Sequence, residues 1–311
     1  MNPPASHFSS SPHPRSNKDA RPTVAIVICT LNRPASLRKC LEAVTRLSPA
    51  ADEVLVVDNT LGDKETALLA REFGAGYTPE PVQGLSRARN RGLSESSCEI
   101  VAFLDDDAVP CNNWLEFILP PFSDPNVASV TGDTLATESA NCAGDPGPPR
   151  SLSKEMPKWF EMATFGGLGY GTNMALRKSF CTGWKVFDER LGRGAPLWIA
   201  EESYAFATLL SRGYRAVHVP AAIVFHPSKA RNIHQEASTS FAYWLLLFFE
   251  FPGRRLDLLR FLLRRLRRKR LTWPRDPQGP GEIITSGWRM YMKAGLAGTR
   301  LYLRARKLKS K

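Results

Sequence analysis

Short apolar runs alternate with stretches of helical spacing over the first part of the chain. An apolar run rich in β-branched residues favours a strand buried on both faces, whereas apolar residues three or four positions apart favour one face of a helix. Strands are predicted at Val24–Cys29, Glu53–Val57 and Glu99–Leu104, and helices at Ala35–Leu47, Asp63–Phe73 and Ser86–Ser96. This alternation predicts an α/β fold, with a mostly parallel sheet flanked by helices.

The middle of the chain continues with shorter elements and one long polar stretch. Residues 137–158 are rich in Gly, Pro, Ser and Asn, which predicts a long loop over one face of the domain. The elements around that loop are predicted as helices at Trp114–Phe122 and Glu201–Arg212, and as strands at Val127–Thr131, Thr172–Leu176, Ala216–Val219 and Ile223–Phe225.

The C-terminal region carries nearly all of the positive charge. From Pro252 onward there are 18 Lys and Arg residues against 3 Asp and Glu, whereas the whole chain has a net charge of +12. The residues before Pro252 are therefore slightly acidic. This asymmetry indicates that the C-terminal region alone meets an anionic surface, either a membrane or a nucleic acid.

Apolar residues within this basic region decide between those two partners. Arg254–Arg270 places Leu256, Leu259, Leu263 and Leu266 on one helical face, with Arg260, Arg264 and Arg268 on the other side. A leucine face needs an apolar partner, so a helix lying in a membrane interface is favoured and no nucleic acid is expected. The preceding run Phe241–Phe251 is too short to cross a bilayer. Insertion into the interface and packing on the protein body remain equal alternatives for it.

Three regions follow from composition. Residues 1–22 are predicted to be a disordered tail, residues 23–235 the catalytic domain, and residues 236–311 a basic amphipathic helical extension at the membrane interface. We expect no signal peptide, because the N-terminus has no apolar segment. The six cysteines are scattered, which favours free thiols in a reducing compartment. The expected location is cytoplasmic, peripheral on the inner face of the cytoplasmic membrane.

The strongest chemical signal is the segment Phe103-Leu104-Asp105-Asp106-Asp107. A buried strand cannot hold three adjacent carboxylates, so the acids must follow its carboxyl end, where an open α/β sheet forms its ligand crevice. A divalent cation such as Mg²⁺ or Mn²⁺ relieves the repulsion between such carboxylates and binds phosphate oxygens at the same time. The alternative is an acidic turn that is merely solvated.

Polar residues also follow the other predicted strands. Thr30 and Asn32 come after the first strand, and Asp58 with Asn59 comes after the second. The carboxyl ends of parallel strands lie side by side, so these groups and the three acids together predict a pocket for a nucleoside diphosphate. Taken alone, Asp58 and Asn59 are equally consistent with a turn or a helix cap.

Seven segments together resemble glycosyltransferase family 2, whose members have the GT-A fold. In order along residues 22–227 they read VAIVICTLNRP, EVLVVDNT, GLSRARNRGL, VAFLDDDAVP, GTNMALRKS, FDERLGRG and AEESYAFATLLSRGY. The resemblance implies a nucleotide-sugar donor, an inverting mechanism and a divalent cation, Mg²⁺ or Mn²⁺.

The same resemblance implies roles for individual residues. Metal ligation falls to Asp105 and Asp107, with Asp107 as the direct ligand. His226, at the end of a predicted strand, is a further candidate ligand, although a histidine before a proline is also commonly structural. Donor binding involves Thr30, Asn32, Asp58, Arg89, Asn90 and Asp106, and the cleft between donor and acceptor is lined by Asn173 and Met174.

One segment departs from the family pattern. The family usually has Glu-Asp at the start of the helix that ends near Gly213, and this chain has Glu201-Glu202. The arginine that is usual within that helix is replaced by Thr208. Glutamate retains the chemistry of a base, so Glu202 is the expected catalytic base and Glu201 the alternative.

The expected function is therefore an inverting transfer of a sugar to a hydroxyl of a glycan or a lipid-linked acceptor at the cytoplasmic membrane face, as in polysaccharide biosynthesis. Two other functions remain open. A metal-dependent nucleotidyltransferase would use the same pocket but release pyrophosphate. A non-catalytic, membrane-associated protein that binds nucleotide sugars would keep the fold and the extension without turnover.

Overall fold

The computed structural model describes residues 21–60, 64–137, 147–227, 233–267 and 288–309. Almost all of the predicted disordered tail, and residues 138–146 of the predicted loop, lie outside these ranges. The described strands are β1 Val24–Thr30, β2 Glu53–Asp58, β3 Gly76–Pro79, β4 Ile100–Asp105, β5 Val109–Pro110, β6 Val127–Ala136, β7 Arg150–Leu152, β8 Met174–Arg177 and β9 Arg215–His226. The helices are α1 Pro34–Val44, α2 Lys64–Glu72, α3 Leu85–Glu95, α4 Trp114–Ile118, α5 Trp159–Thr164, α6 Glu201–Ser211, α7 Ile233–Glu250, α8 Arg255–Arg267 and α9 Trp288–Lys309.

One mixed sheet organises the described residues. Its strands lie in the order β3-β2-β1-β4-β8-β6-β9-β5, and β7 pairs with β9. β1, β2, β3 and β4 are mutually parallel, and β6 is parallel to β9, whereas β8, β5 and β7 each pair antiparallel with their neighbours. The predicted α/β fold with a mostly parallel sheet is confirmed.

Some elements differ from their predictions. The predicted strands Ala216–Val219 and Ile223–Phe225 form one strand, β9, which pairs with β6 at both of its ends across two register shifts. The predicted loop contains β7, an edge strand that hydrogen bonds to β9. β3, β5, β7 and α5 were not predicted, because each has at most six residues and shows too little periodicity.

The sheet is buried on both faces. All seven residues of β1 are buried, which explains why this strand is apolar throughout rather than alternating. Ile26 and Ile28 face a core shared with Trp114, and Val27 faces the opposite core shared with Phe103. Gly92 of α3 packs so closely on β1 that an added Cβ would lie 2.4 Å from a Val27 methyl group. The central strands are thereby fixed between two helical layers.

The C-terminal helices pack on this body. Tyr243, Leu246 and Leu247 of α7 are at most 1% exposed and belong to the core on the α3 side of the sheet. Of the two alternatives for Phe241–Phe251, insertion into the interface and packing on the protein body, these three residues follow the second. On α8, Leu258 and Phe261 are buried. Among the described residues, no helix combines the length and the apolar character that a bilayer crossing requires. The role of the extension at a membrane stays a prediction.

The expectation of free thiols is wrong at Cys111, among the cysteines that the structure describes. Cys29, Cys40, Cys98 and Cys181 are free and buried, but Cys111 is disulfide-bonded. Scattered spacing in the sequence gave no sign of a pair, because residues distant along the chain can be adjacent in the fold.

Candidate active site

Three strand ends meet at one edge of the sheet. β1 lies between β2 and β4, with Thr30 beside Asp58 and Cys29 beside Asp105 in register. The turn after β4 then carries Asp106 and Asp107. The polar strand ends that the sequence predicted to be neighbours are therefore neighbours in space.

His226 joins the acidic residues from the end of β9. Its Nε2 atom lies 3.0 Å from Asp107 Oδ1 and 3.5 Å from Asp105 Oδ2. One potential ligand atom from each of Asp105, Asp107 and His226 lies within 4.8 Å of the other two. Two carboxylates and an imidazole form a donor set that suits Mn²⁺, and the carboxylates alone suit Mg²⁺. The chemistry of these residues therefore fits a divalent cation.

The charges of this cluster depend on one another. Burial opposes protonation of His226, but hydrogen bonding to Asp105 and Asp107 outweighs it and raises the pKa of His226 to about 9. Burial also works against ionisation of Asp105, yet His226 and Arg89 lower the pKa of that carboxyl. At neutral pH and without a cation, a protonated His226 thus supplies positive charge between two carboxylates, and it would have to lose that proton before its Nε2 could bind a cation.

Asp106 has a different environment from its two neighbours. Its Oδ2 accepts a hydrogen bond from Thr30 Oγ1 at 2.8 Å, and its Oδ1 accepts one from Arg33 Nη1 at 2.6 Å. Burial raises the pKa of Asp106 to about 6, and the charges of Asp105 and Asp107 add to the increase despite these two bonds. The pKa of Asp106 is raised while that of Asp105 is lowered, so Asp106 is the more easily protonated of these two.

Arg33 is a functional candidate that the sequence did not identify. Its guanidinium binds Asp106 and, through Nη2 at 2.8 Å, Asp107 Oδ2. Its side chain is 39% exposed, so it can leave these carboxylates when another charge replaces it. The only sequence signal was its place in the turn after β1, where Asn32 adopts a left-handed conformation at φ 52°.

Asp58 is held by two donors at the end of β2. Its Oδ2 accepts a hydrogen bond from Tyr77 Oη at 2.9 Å, and its Oδ1 accepts one from the Thr60 N–H at 2.8 Å. The Asn32 N–H donates to Thr60 Oγ1 at 2.8 Å, which links the turns after β1 and β2. Asp58 is fully buried in this arrangement. Its carboxylate has one fixed orientation.

Two of the predicted cleft residues are core residues. Asn173 is fully buried: its Oδ1 accepts a hydrogen bond from Trp114 Nε1 at 2.9 Å, and its Nδ2 donates to the carbonyls of Asp133 and Ala222. Met174 is also fully buried, in β8. The two residues before them, Gly171 and Thr172, line the cavity described below.

The adjacent residues Arg89 and Asn90 also differ: one reaches the site and the other binds backbone away from it. Asn90 of α3 binds the backbone of Phe187, donating to its carbonyl at 2.7 Å and accepting from its N–H at 3.0 Å. Arg89 does reach the site, but its guanidinium binds Glu201 at 2.7 Å and Asp105 at 3.2 Å. Of these two residues, Arg89 contacts a candidate metal ligand, Asp105, and Asn90 binds backbone.

The paired glutamates at the start of α6 differ in exposure and partner. Glu201 is 7% exposed and pairs with Arg89. Glu202 is half-buried and, like Glu201, lines a cavity of about 410 Å³ together with Asp105 and His226. Both carboxylates therefore line the same cavity as two of the candidate metal ligands, Asp105 and His226.

A second cavity, of about 180 Å³, adjoins the first. It is lined by strand-end and turn residues, which include Thr30, Arg33, Asn59 and Asp106. Asp105, Leu85 and Arg193 border both cavities. Arg193 and Trp198 were not predicted, because they lie in a segment without regular secondary structure between β8 and α6. The site therefore consists of two compartments that meet at Asp105.

Comparison with known proteins places this geometry in a family. The model of the family described as "Glycosyl transferase family 2" matches residues 25–180, half of the chain. The chain belongs to glycosyltransferase family 2. It has an α/β fold of the GT-A-like class, and the predicted family is confirmed.

Individual relatives of this family 2 enzyme match over shorter stretches. Glycosyltransferase AglE of Haloferax volcanii is 38% identical over 124 residues, which cover 37% of this chain and 40% of AglE. A GalNAc(5)-diNAcBac-PP-undecaprenol beta-1,3-glucosyltransferase of Campylobacter jejuni is 24% identical over 186 residues, which cover 57% and 59% of the two chains. The chain thus spans less than two thirds of the length of either relative.

A solved structure supports the fold of this glycosyltransferase. A mannosyltransferase from Pyrobaculum calidifontis, in complex with GDP-Man and Mn²⁺, superposes with a TM-score of 0.54 at 18% identity. The superposition covers 94% of this chain and 76% of the mannosyltransferase. It therefore extends beyond the segment that the family model matches, into the C-terminal helices.

Proposed function

We propose that this enzyme transfers a sugar, with inversion, from a nucleoside diphosphate sugar to a hydroxyl of a glycan or a lipid-linked acceptor. One observation carries the proposal: the compartment lined by Thr30, Arg33 and Asp106 meets the compartment lined by Glu202 at Asp105. A donor in the first compartment would thus present its diphosphate at the point where the second compartment begins.

The donor compartment has the chemistry of a nucleoside diphosphate site. Asp58 and Asn59 stand at the end of β2, where polar groups can bond a ribose or a base, and Arg33 can pair with phosphate oxygens. Asp105, Asp107 and His226 would hold Mg²⁺ or Mn²⁺. When bound, the cation would neutralise the negative charge of the departing nucleoside diphosphate. Arg33 would release Asp106 and Asp107 and pair with the phosphate oxygens of the donor instead.

The second compartment supplies the base. Glu202 lies on its wall, and its carboxylate would take the proton of the acceptor hydroxyl as that oxygen attacks the anomeric carbon. The bond from the anomeric carbon to the diphosphate oxygen breaks as the new glycosidic bond forms on the opposite face. Attack and departure on opposite faces invert the anomeric configuration.

The structure allows a direct test of this function. Purified protein is incubated with UDP-glucose or GDP-mannose, with Mn²⁺ or with a chelator, and release of the nucleoside diphosphate is measured. We expect release only with Mn²⁺, and we expect the Asp107→Ala variant to lose nucleoside diphosphate affinity in calorimetry, because it removes a ligand. Asp124→Ala, at an exposed ion pair with Arg215, serves as the control. Equal affinity in wild type, Asp107→Ala and chelated protein would refute the metal role, and release of pyrophosphate would indicate a nucleotidyltransferase.

We also propose that α8 attaches the enzyme to an anionic membrane surface. Leu256, Leu259 and Leu263 are 68%, 40% and 53% exposed, although Leu258 and Phe261 of the same helix are buried. Arg260 is exposed as well, so it lies on the outward side with these leucines, and the prediction that it faces the opposite side is wrong. An outward surface of leucine and arginine fits the boundary between acyl chains and anionic headgroups. Each Lys or Arg near such a surface contributes on the order of 1 kcal/mol, so the basic extension as a whole suffices for docking.

Substitutions test this attachment better than truncation does. A cut after Ser240 would remove Leu246 and Leu247 from the core and damage the fold. Leu256, Leu259 and Leu263 are instead changed together to Gln, and the equally exposed Leu68 of α2 is changed to Gln as the control. Only the triple variant should lose co-sedimentation with vesicles that contain anionic lipid. If it pellets as the wild type does, α8 is not the attachment site.

A further inference from the structure

Arg89 occupies an unusual place in the site: it is a buried cation held between two carboxylates from different elements. Its side chain is 2% exposed. Nη1 donates to Glu201 Oε1 at 2.7 Å, and Nη2 donates to Asp105 Oδ1 at 3.2 Å. The guanidinium carbon also lies 5.6 Å from the centre of the Phe187 ring. One side chain of α3 therefore connects the end of β4 to the start of α6.

The surrounding backbone is shaped around this bridge. A Cβ atom on Gly171 would lie 2.7 Å from Arg89 Nη2, so a larger residue there would displace the guanidinium. Gly192 has φ +88°, and a Cβ atom on it would lie 3.2 Å from Glu201 Cδ. Both carboxylate contacts of Arg89 are thus bordered by glycines that leave room for the charged groups and for little else.

The bridge divides the two oxygens of Asp105. Oδ1 accepts from Arg89, whereas Oδ2 lies 3.5 Å from His226 Nε2, inside the candidate metal cluster. Arg89 therefore determines which oxygen of Asp105 is left for a cation. Outer contacts of this kind orient a ligand and tune its affinity for the metal.

The bridge also separates the roles of the paired glutamates. A proton placed on Oε1 of Glu201 would break its bond to Arg89 and leave a buried cation without one of its two counter-charges. Glu202 acts on Arg89 through its charge, whereas the two hydrogen bonds of the guanidinium run to Glu201 and Asp105. A proton on Oε1 of Glu201 would therefore break the bridge, and a proton on Glu202 would break neither of its two bonds.

Building on the proposed function, we propose that Arg89 and Glu201 are positioning residues: Arg89 presents Oδ2 of Asp105 to the cation, Glu201 anchors Arg89, and Glu202 alone is the base. A planar guanidinium is required, because its fork reaches both carboxylates at once, whereas the ammonium group of lysine is a single point of charge.

The first test measures Mn²⁺ affinity by calorimetry with Mn²⁺ alone, and thus needs neither donor nor acceptor. Arg89→Lys keeps the charge but cannot form both bonds, and we expect it to bind Mn²⁺ about 10–100-fold more weakly, as changes around metal ligands typically do. Arg87→Lys, on the same helix and paired with Glu189 at 2.8 Å, should bind as the wild type does. Thermal unfolding of each variant verifies that it is folded.

The second test asks whether Glu201 acts through Arg89. Glu201→Gln keeps an oxygen that accepts from Arg89, and we expect a smaller loss of Mn²⁺ affinity than in Arg89→Lys. In the double variant the two losses should be less than additive, because contacting residues couple. Glu201→Gln should keep turnover within about tenfold of wild type, whereas Glu202→Gln should lose about 10²–10⁴-fold.

The outcomes separate this inference from the proposed function. If the wild type binds Mn²⁺ and Arg89→Lys binds it equally well, the positioning role is refuted while the metal site stands. If Glu201→Gln loses turnover as a base would and keeps its Mn²⁺ affinity, Glu201 is the base and the assignment is refuted. If the wild type itself binds no Mn²⁺, both the metal site and the positioning role fall.

Discussion

Asp106 should destabilise the folded protein when no cation is bound. The side chain is buried, it lies between two other aspartates, and its pKa is raised from 3.8 to about 6. A shift of about two pKa units corresponds to roughly 3 kcal/mol of free energy, at full ionisation, against the folded state. Replacement of Asp106 by Asn keeps the size and the bond from Thr30 but removes this charge.

The sign of the pH dependence follows from the direction of the shift. Because the folded-state pKa lies above that of the unfolded chain, the folded state binds more protons between the two values, and its stability falls as pH rises through this window. Above about pH 6 the full cost of the charge is present. The unfolding free energy of Asp106→Asn should therefore exceed that of the wild type by an amount that grows by about 2 kcal/mol between about pH 4.5 and pH 8.

Denaturant titrations of both proteins at the two pH values, without divalent cations, measure this difference. Asp52→Asn is a control of opposite sign: although burial opposes ionisation there, hydrogen bonds from the Val24 N–H and Arg21 lower the pKa of Asp52. The Asp52 carboxylate stabilises the fold above the pKa that it has in the unfolded chain, and this stabilisation is lost as pH falls. Removing the carboxylate should therefore lower the unfolding free energy more at high pH than at low pH. If the unfolding free energies of Asp106→Asn and the wild type do not differ, or differ by the same amount at both pH values, the reasoning is refuted.

The remaining predictions concern the base and the core. Glu202→Gln should lose about 10²–10⁴-fold in turnover with donor binding unchanged in calorimetry, since a general base acts on the acceptor; near-normal turnover would remove Glu202 from the mechanism. Trp114→Phe should lower the unfolding free energy by at least about 1–3 kcal/mol, because Asn173 Oδ1 would lose its buried donor. Trp184→Phe, at a half-buried indole that donates to Phe180, is the comparison and should cost less.

The sequence was sufficient to locate the site because strand ends are visible in it. Val24–Cys29 and Ile100–Leu104 are apolar runs that stop at polar residues, and parallel pairing of such strands places their ends together. His226 could be proposed from the same reasoning, since it closes the last predicted strand. These inferences required only the order of elements and the cost of burying carboxylates.

The pairing of charges was not accessible in this way. Arg89 and Glu201 are 112 positions apart, and Arg33 and Asp107 are 74 apart. Nothing in a single sequence specifies which of many arginines meets which carboxylate. A second limit is orientation: Thr172 and Asn173 are adjacent, yet one lines a cavity while the other is fully buried against Trp114. Motif position identified the segment, and only the packing of β8 between β4 and β6 determined which side chain faces inward.

The C-terminal helices are connected to the cavity that Glu202 lines. Trp198, on the cavity wall, donates from Nε1 to Thr239 Oγ1 of α7 at 2.8 Å. Arg190, which is 4% exposed, binds Glu250 at the end of α7 at 3.1 Å. α8 follows α7 after a short 3-10 helix and turns Leu256, Leu259 and Leu263 outward. Because α7 is part of the core, a bilayer that holds α8 would also hold the cavity at one orientation to the membrane. An acceptor anchored in that membrane would then approach Glu202 from a fixed direction, which is the geometric reason to prefer a lipid-linked acceptor over a free glycan.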